Sequence, residues 1–288
     1  MDYIIHLIIL ISIYGILGLS LNLVIGFTGL LSVTHAAFYG LGAYATALLM
    51  TSMGMNFFLS VLAGMIVSGL GALFIGYVLS RFDGDYFALG SFGFNIIVFS
   101  IFLNWQSLTR GPLGIPGIPR PTIFGYTFSG NFAFLILSLL ILGAVYLGVK
   151  WLTSSSFGRV LKAIREDEKA LQVFGYNTAS YKLAIFVIAA MLAGVAGSLF
   201  ASYISYIDPT SFVLMESIFI LIAIILGGLA SHKGAMLGAV CIVLLPEMLR
   251  FVGFPTDIAA QMRQVVYGIL LVVLMIYRPQ GFVGEYKL

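Results

Sequence analysis

Charge is what this sequence has least of. Only 14 of its 288 residues are Lys or Arg and 11 are Asp or Glu, 9% in all, where a soluble domain carries about a quarter. A chain this poor in charge and 61% apolar is not a soluble globule. Nor is it disordered, because disorder needs low hydrophobicity. Cysteine is almost missing: Cys241 stands alone in an apolar run, which excludes an internal disulfide and a cysteine-based metal cluster. The basic residues are not clustered as a nucleic-acid footprint would be. A Gly-x-x-x-x-Gly-Lys-Ser/Thr phosphate loop is absent, so ATP chemistry is not expected in this chain. Ser–His, paired-Asp and His-Glu-x-x-His arrangements are absent as well, and we do not read the chain as an enzyme. The apolar run beginning at Tyr3 has no basic region before it and no Ala-x-Ala site after it. It is therefore expected to be a retained first span, not a secretory signal.

Long apolar runs are what is present. They fall at Tyr3 to Ile25, Leu30 to Met50, Phe57 to Ser80, Tyr86 to Leu103, Phe132 to Leu152, Leu183 to Tyr203, Phe212 to Leu229, Ala235 to Phe251 and Ile258 to Tyr277. A helix needs about 20 residues to cross roughly 30 Å of hydrocarbon. The expected fold is an all-α, polytopic transmembrane helix bundle of about nine spans (8–10), forming a single transmembrane domain over 1–288. Basic flanks stay cytoplasmic. With the loop after the third span inside, Arg81, Lys150, Arg159, Lys162, Arg165, Lys169, Lys182, Lys233, Arg278 and Lys287 share one side, and Arg110, Arg120, Arg250 and Arg263 the other. That places the N-terminus outside and the C-terminus inside. Two long loops result. The outer one, 104–131, is rich in Gly and Pro and reads as an ordered irregular cap. The inner one, 153–182, is the most charged part of the chain and reads as a short helical insert.

Small residues recur four apart, as in Ala190/Gly194, Ala193/Gly197 and Gly234/Gly238. In lipid, close approach through such positions holds helices together. The stretch from Gly26 to Tyr44 is different, with four glycines and several polar groups at membrane depth. Irregular backbone at that depth is tolerated only where protein or a cavity surrounds it. A similar string, Gly227 to Gly238, returns late in the chain, and Gly29, Ser32 and Ala36 align with Gly228, Ser231 and Ala235. The candidates to line a translocation path are Asn22, Ser32, His35, Tyr39, Tyr44, Asn95 and Glu216. Two readings stand for the ionisable pair. His35 either lines a path or simply bonds a neighbouring helix, and Glu216 either faces the path or is hydrated near the outer interface.

In the inner insert Phe157, Val160, Leu161 and Ile164 lie at i, i+3, i+4 and i+7, one helical face. Gly175 is placed to end the helix. Such a face is buried against lipid headgroups, its own bundle or another protein. The acidic run Glu166, Asp167 and Glu168 sits poorly against an anionic leaflet and favours protein.

These residues carry a family resemblance. The insert from Ser156 to Gly175 is similar to the Gly-Arg-x-x-Lys/Arg-Ala-Ile-Arg-x-x-Glu…Gly loop of branched-chain amino-acid ABC permeases of the LivM-like kind. Ser32 to Tyr44, Gly84 to Leu89, Tyr181 to Phe186, Leu226 to Gly238, Leu245 to Glu247 and Arg278 to Gly281 resemble the family's other motifs in order. One departure is Gly-Gly-Leu-Ala-Ser-His-Lys-Gly at 227–234, where the family has Gly in place of Ala230. The resemblance implies a half-channel in a bacterial cytoplasmic (inner) membrane. It implies as partners a second permease chain in a heterodimer, two cytoplasmic ATPases that bind the ATP, and an outer solute-binding protein. Within the insert it assigns ATPase coupling to Phe157, Gly158, Arg159, Val160, Leu161, Ala163, Ile164, Arg165, Glu168 and Gly175. Neither a metal nor a cofactor of the chain's own is expected. The rivals are a stand-alone secondary transporter or channel for a small neutral solute, and an ABC permease for urea or short amides.

Overall fold

The computed structural model describes residues 2–80, 82, 84–123, 126–128 and 130–251, and beyond these only 262, 264–266, 268–269, 272–273, 276–277 and 280–283. The expected ninth span, 258–277, therefore lies largely outside the described residues, as do Arg81, Arg263, Arg278 and Lys287.

In hydrocarbon the backbone must satisfy its own polar groups, so long apolar runs become helices. They do so at α1 (Asp2–Thr28), α2 (His35–Ser52), α3 (Phe57–Leu79), α4 (Asp85–Asn104), α6 (Asn131–Ser154), α8 (Thr178–Ile204), α9 (Leu214–Gly227) and α10 (His232–Phe251). A short α5 (Gln106–Thr109) sits in the outer loop, and α7 (Ser156–Val173) forms the inner insert. Among the described residues, five helices are long and apolar enough to cross a membrane: α1, α3, α4, α6 and α8. Three expected spans come out differently. The second begins five residues late, at His35, after an irregular stretch. The seventh, α9, has only 14 residues, about 21 Å at 1.5 Å each, which is too short to cross alone. The eighth, α10, carries Pro246 inside it.

The centre of the bundle is α1, buried from Ile13 to Thr28 apart from the half-buried Tyr14. Helix α8 is buried along its second half, and α2 packs across it. The α2–α8 crossing depends on small residues. A Cβ added to Gly197 would stand 2.0 Å from the Tyr39 carbonyl oxygen and 2.8 Å from the Ala43 nitrogen. Hydroxyls lace the same region: Thr46 Oγ1 to Ser198 Oγ at 2.7 Å, and Ser68 Oγ to the Phe38 carbonyl at 2.9 Å. The small-residue pairs read from the sequence thus sit at helix contacts, with Gly194 and Gly197 against α2 and α3, and Gly234 and Gly238 against α9. Helices α3, α4 and α6 turn large apolar side chains outward, as lipid requires.

The described residues of the 104–131 loop are mostly irregular, though α5 and a 3₁₀ turn at Gly111–Leu113 add helical pieces. Strand β1 (Ile115–Pro116) pairs antiparallel with β4 (Tyr206–Ile207), setting Ile115 opposite Ile207. A second small pair joins β2 (Thr122–Ile123) to β3 (Tyr126–Thr127). The loop is thereby stitched to the chain that leaves α8.

At the opposite end lie Lys150, α7 with Arg159, Lys162, Arg165 and Lys169, Lys182 at the start of α8, and Lys233 at the start of α10. Contacts between these elements and the end of α1 hold them together. Arg110 and Arg120 are at the outer-loop end, where Arg120 bonds Asn131. The former residues thus gather at one end of the bundle, and Arg110 and Arg120 at the other.

Candidate functional site

Two interruptions define the inner half of the bundle, and each is held by an asparagine. After Thr28 the chain turns at Gly29 (φ 73°) and runs without regular secondary structure to Thr34. Both backbone groups of Val33 are taken by α4: its N–H donates to Ser91 Oγ at 3.1 Å, and its carbonyl accepts from Asn95 Nδ2 at 2.8 Å. Asn95 Nδ2 also donates to Ser217 Oγ of α9 at 2.8 Å, and that hydroxyl accepts from the Ala36 N–H at 2.8 Å. Thr34, the residue before α2, makes no side-chain cap, so the first turn of α2 is capped from another helix. Helix starts leave N–H groups without partners, and a buried one costs about 1–3 kcal/mol. Ser217 removes that cost.

The second interruption, 228–231, turns at Gly228 (φ 117°) and at Ala230 (φ 58°). Ala230 occupies the position at which the family pattern carries Gly. An L residue in the left-handed region costs about 1–2 kcal/mol. Asn22 offsets this by accepting from the Ala230 N–H at 2.9 Å and donating to the Ser231 carbonyl at 3.2 Å. Ser231 Oγ then caps α10 by accepting from the Gly234 N–H at 3.1 Å. The paired Gly and Ser positions seen in the sequence thus stand in two breaks of like construction.

Of the path candidates, Asn22, Ser32, His35, Tyr39 and Asn95 are at most 1% exposed and Tyr44 is 3%, so none faces open space in this state. Ser32 Oγ bonds Thr34 Oγ1 at 2.9 Å. Tyr39 and Tyr44 belong to an aromatic cluster centred on Phe212, with ring centroids 5.1 and 5.8 Å away, and Tyr44 stacks on Phe102 at 4.4 Å. Phe102, Phe200 and Phe212 were not singled out by sequence; helical spacing alone does not separate a cluster from lipid-facing aromatics. Glu216 is half-buried and accepts from the Tyr14 hydroxyl at 2.5 Å, so it is engaged by α1, not simply hydrated. The reading in which His35 bonds a neighbouring helix finds no partner among the described residues. Both its ring nitrogens, with Asn95 Oδ1 and the Tyr44 hydroxyl, are buried with no hydrogen-bond partner among the described residues.

The insert is a helix, as its periodicity predicts, and its apolar face turns inward on its own bundle. Gly158, Leu161 and Ile164 are buried; Val160 and Ala163 are half-buried. Phe157 stacks on Tyr181 of α8 at 5.3 Å. Ser155 caps the start. Asp167 breaks the helix (φ −154°, ψ 96°) and recaps its second half by accepting from the Ala170 N–H at 3.0 Å. Glu168 is fastened to α8 by Lys182, 2.7 Å away, and by the Thr178 hydroxyl at 2.8 Å. Gly175 (φ 85°) ends the helix as expected: its N–H bonds the Gln172 carbonyl and that of Tyr176 bonds Leu171, a Schellman closure.

The two arginines of the insert differ. Arg159 is exposed and bonds Ser154 and Ser156, at the junction of α6 and α7. Arg165 is half-buried and donates from Nη1 to the Gly26 carbonyl, in the last turn of α1. Lys162 lies 5.5 Å from the centre of the Phe27 ring, which stacks on His232 at 5.5 Å. Gly26 itself touches Asn22 and Ala230 so closely that a Cβ there would be 2.1 Å from Asn22 Oδ1. The insert therefore grips the end of α1, and the end of α1 grips the second break.

The far tip of the insert is apolar and bare: Val173 is 87% exposed, Phe174 79% and Tyr176 45%. Beside it opens a cleft of about 740 Å³, lined by Gly29, Leu31, Asp85, Glu166, Asp167 and Lys169 among others.

A family profile described as branched-chain amino acid transport system / permease component matches residues 3–275. The chain is 36% identical to the high-affinity branched-chain amino acid transport system permease protein LivM of Salmonella typhimurium, across 93% of this chain and 67% of that one. It is 35% identical to LivM of Escherichia coli over the same shares. It is also 28% identical to LivH of Salmonella typhimurium, covering 95% of this chain and 92% of that one. No solved structure matches.

Proposed function

Because the chain belongs to the branched-chain amino acid transport permease family, we propose that it forms one membrane half of an ATP-driven ABC importer for branched-chain amino acids. It pairs with a second, related permease chain in a heterodimer. Two ATPases on the cytoplasmic side supply the energy, and a soluble binding protein delivers solute to the outer loop. The end carrying α7 is cytoplasmic, following the basic residues gathered there. The N-terminus is then outside and, with nine spans, the C-terminus inside, in the bacterial inner membrane.

The observation that carries this reading is the division of labour in α7. One face is anchored to α1 and α8, while Val173, Phe174 and Tyr176 project from a bundle otherwise meant for lipid. An exposed apolar cluster at the tip of a charged element marks a protein contact. Docking thus rests on the tip, and the residues from Phe157 to Arg165 carry the motion inward. The buried His35 nitrogens and Asn95 Oδ1, each about 1–3 kcal/mol short of a hydrogen bond, are groups whose partners arrive with solute or water in the other access state. The spans contribute few fixed charges, which suits a zwitterionic solute recognised mainly by the binding protein.

Reconstitution tests the assignment. Proteoliposomes holding the chain with its partner permease, ATPases and binding protein are expected to accumulate leucine only when ATP is present. Liposomes holding this chain alone are expected to take up none. Gradient-driven uptake by the lone chain would instead make it a self-sufficient transporter.

A further inference from the structure

A second cavity, of about 400 Å³, opens between α6 and α10 at the charged end of the bundle. Lys150, Thr153 and Tyr146 of α6, Lys162 of α7, and Ser231 with Lys233 at the start of α10 line it. Among the described residues around it none is acidic. Its floor is fixed: His232 Nε2 lies 2.9 Å from Thr153 Oγ1 and stacks on Phe27, which the Lys162 ammonium overhangs. Lys150 and Lys233 at its rim are exposed.

Depth and direction identify what such a site meets. Trp151, beside Lys150, is 75% exposed; exposed Trp at the end of an apolar span marks the membrane–water interface. Leu147 stands one turn before Lys150, and Leu237 one turn after Lys233, both exposed. Each lysine therefore heads an apolar stripe that runs into the hydrocarbon. Hydroxyl and ammonium donors converge at headgroup depth while apolar side chains line the way below, the arrangement by which basic pockets between spans take anionic headgroups. The tip of α7, where we place protein docking, is a separate surface lined by different residues.

We propose that this cavity binds the phosphate headgroup of one anionic phospholipid from the adjoining leaflet, with Lys150, Lys233 and Lys162 facing the phosphate and the acyl chains lying along Leu147 and Leu237. The inference rests on the chemistry of the cavity and does not depend on the transport assignment.

Native mass spectrometry of the full chain, delipidated in detergent and titrated with phosphatidylglycerol, phosphatidylcholine or inorganic phosphate, tests it. The wild type is expected to hold one phosphatidylglycerol and to melt at a higher temperature with it, and to gain nothing from phosphatidylcholine or phosphate. Each ammonium contributes about fivefold, so the double variant Lys150→Gln/Lys233→Gln should bind roughly 30-fold more weakly. Both side chains are exposed, so the variant should fold. Lys169→Gln, exposed on α7, should bind as the wild type does. Equal retention of phosphatidylcholine, an equal loss in Lys169→Gln, or equal stabilisation by inorganic phosphate would each overturn the site. So would a double variant that keeps its lipid as tightly as the wild type.

Discussion

Arg165→Glu is expected to cut ATP-driven uptake roughly 10- to 100-fold while the protein still reaches the membrane and still co-purifies with its ATPases. The Arg165 guanidinium donates to the Gly26 carbonyl in the last turn of α1. A hydrogen bond from a charged donor is worth about 1.5–3 kcal/mol, and a difference of that size between two access states corresponds to roughly 10- to 100-fold in rate. Glutamate loses the donor and sets a negative charge against a carbonyl oxygen. The tip at Val173 and Phe174 is untouched, so docking persists and ATP is hydrolysed without transport. Arg159→Glu is the control: that side chain is exposed and bonds Ser154 and Ser156 at the junction of α6 and α7, and uptake should change less than about twofold, as for an exposed charge pair. Normal uptake by Arg165→Glu removes the transmission role. Loss of the ATPases from the purified complex shifts Arg165 to docking.

Gly197→Val is expected to have the largest effect on stability, with little folded protein recovered. The nearest neighbours of a Cβ at that position are backbone atoms of α2, at 2.0 and 2.8 Å, and backbone cannot rotate aside as a side chain can. The whole α2–α8 crossing must open, forfeiting the close contact that holds helices together in lipid. A cost beyond about 4 kcal/mol is the scale of such core overpacking at its worst. Gly148→Ala on α6 provides the contrast: nothing lies within 4 Å of its added Cβ, and alanine in a helix is better than glycine by about 0.5–1 kcal/mol. Denaturation in mixed detergent micelles should show the two variants moving in opposite directions from wild type.

What could be read from the chain beforehand follows from which signals are local. The amphipathic insert and the helix end at Gly175 are each set by a few adjacent residues and are where the sequence places them; the interruption expected from Gly26 to Tyr44 narrows to 29–34, and the second and seventh apolar runs give a late-starting and a short helix. The connections that build the site are not local. Ser217 caps Ala36 from 181 residues away, and Asn22 holds Ala230 across 208; no pattern within a window reports such partners. Periodicity found the apolar face of α7 but not what covers it: Leu161 and Ile164 meet the protein's own bundle, and Val173 and Phe174 are left bare. Apolar composition likewise marks α9 without revealing that only 14 of its residues are helical. The departure at Ala230, visible in the sequence as a change in a turn, sits at positive φ and is held by a buried amide, which the sequence does not report.

The most direct measurement of the central claim is photo-crosslinking from position 174. With a photoreactive amino acid in place of Phe174, irradiation of membranes containing the whole transporter should give one dominant adduct, between this chain and the ATPase subunit. Its yield should change when ATP is trapped. Adducts to lipid, or a yield indifferent to nucleotide, would contradict the claim that the tip of α7 is where an ATP-driven partner takes hold.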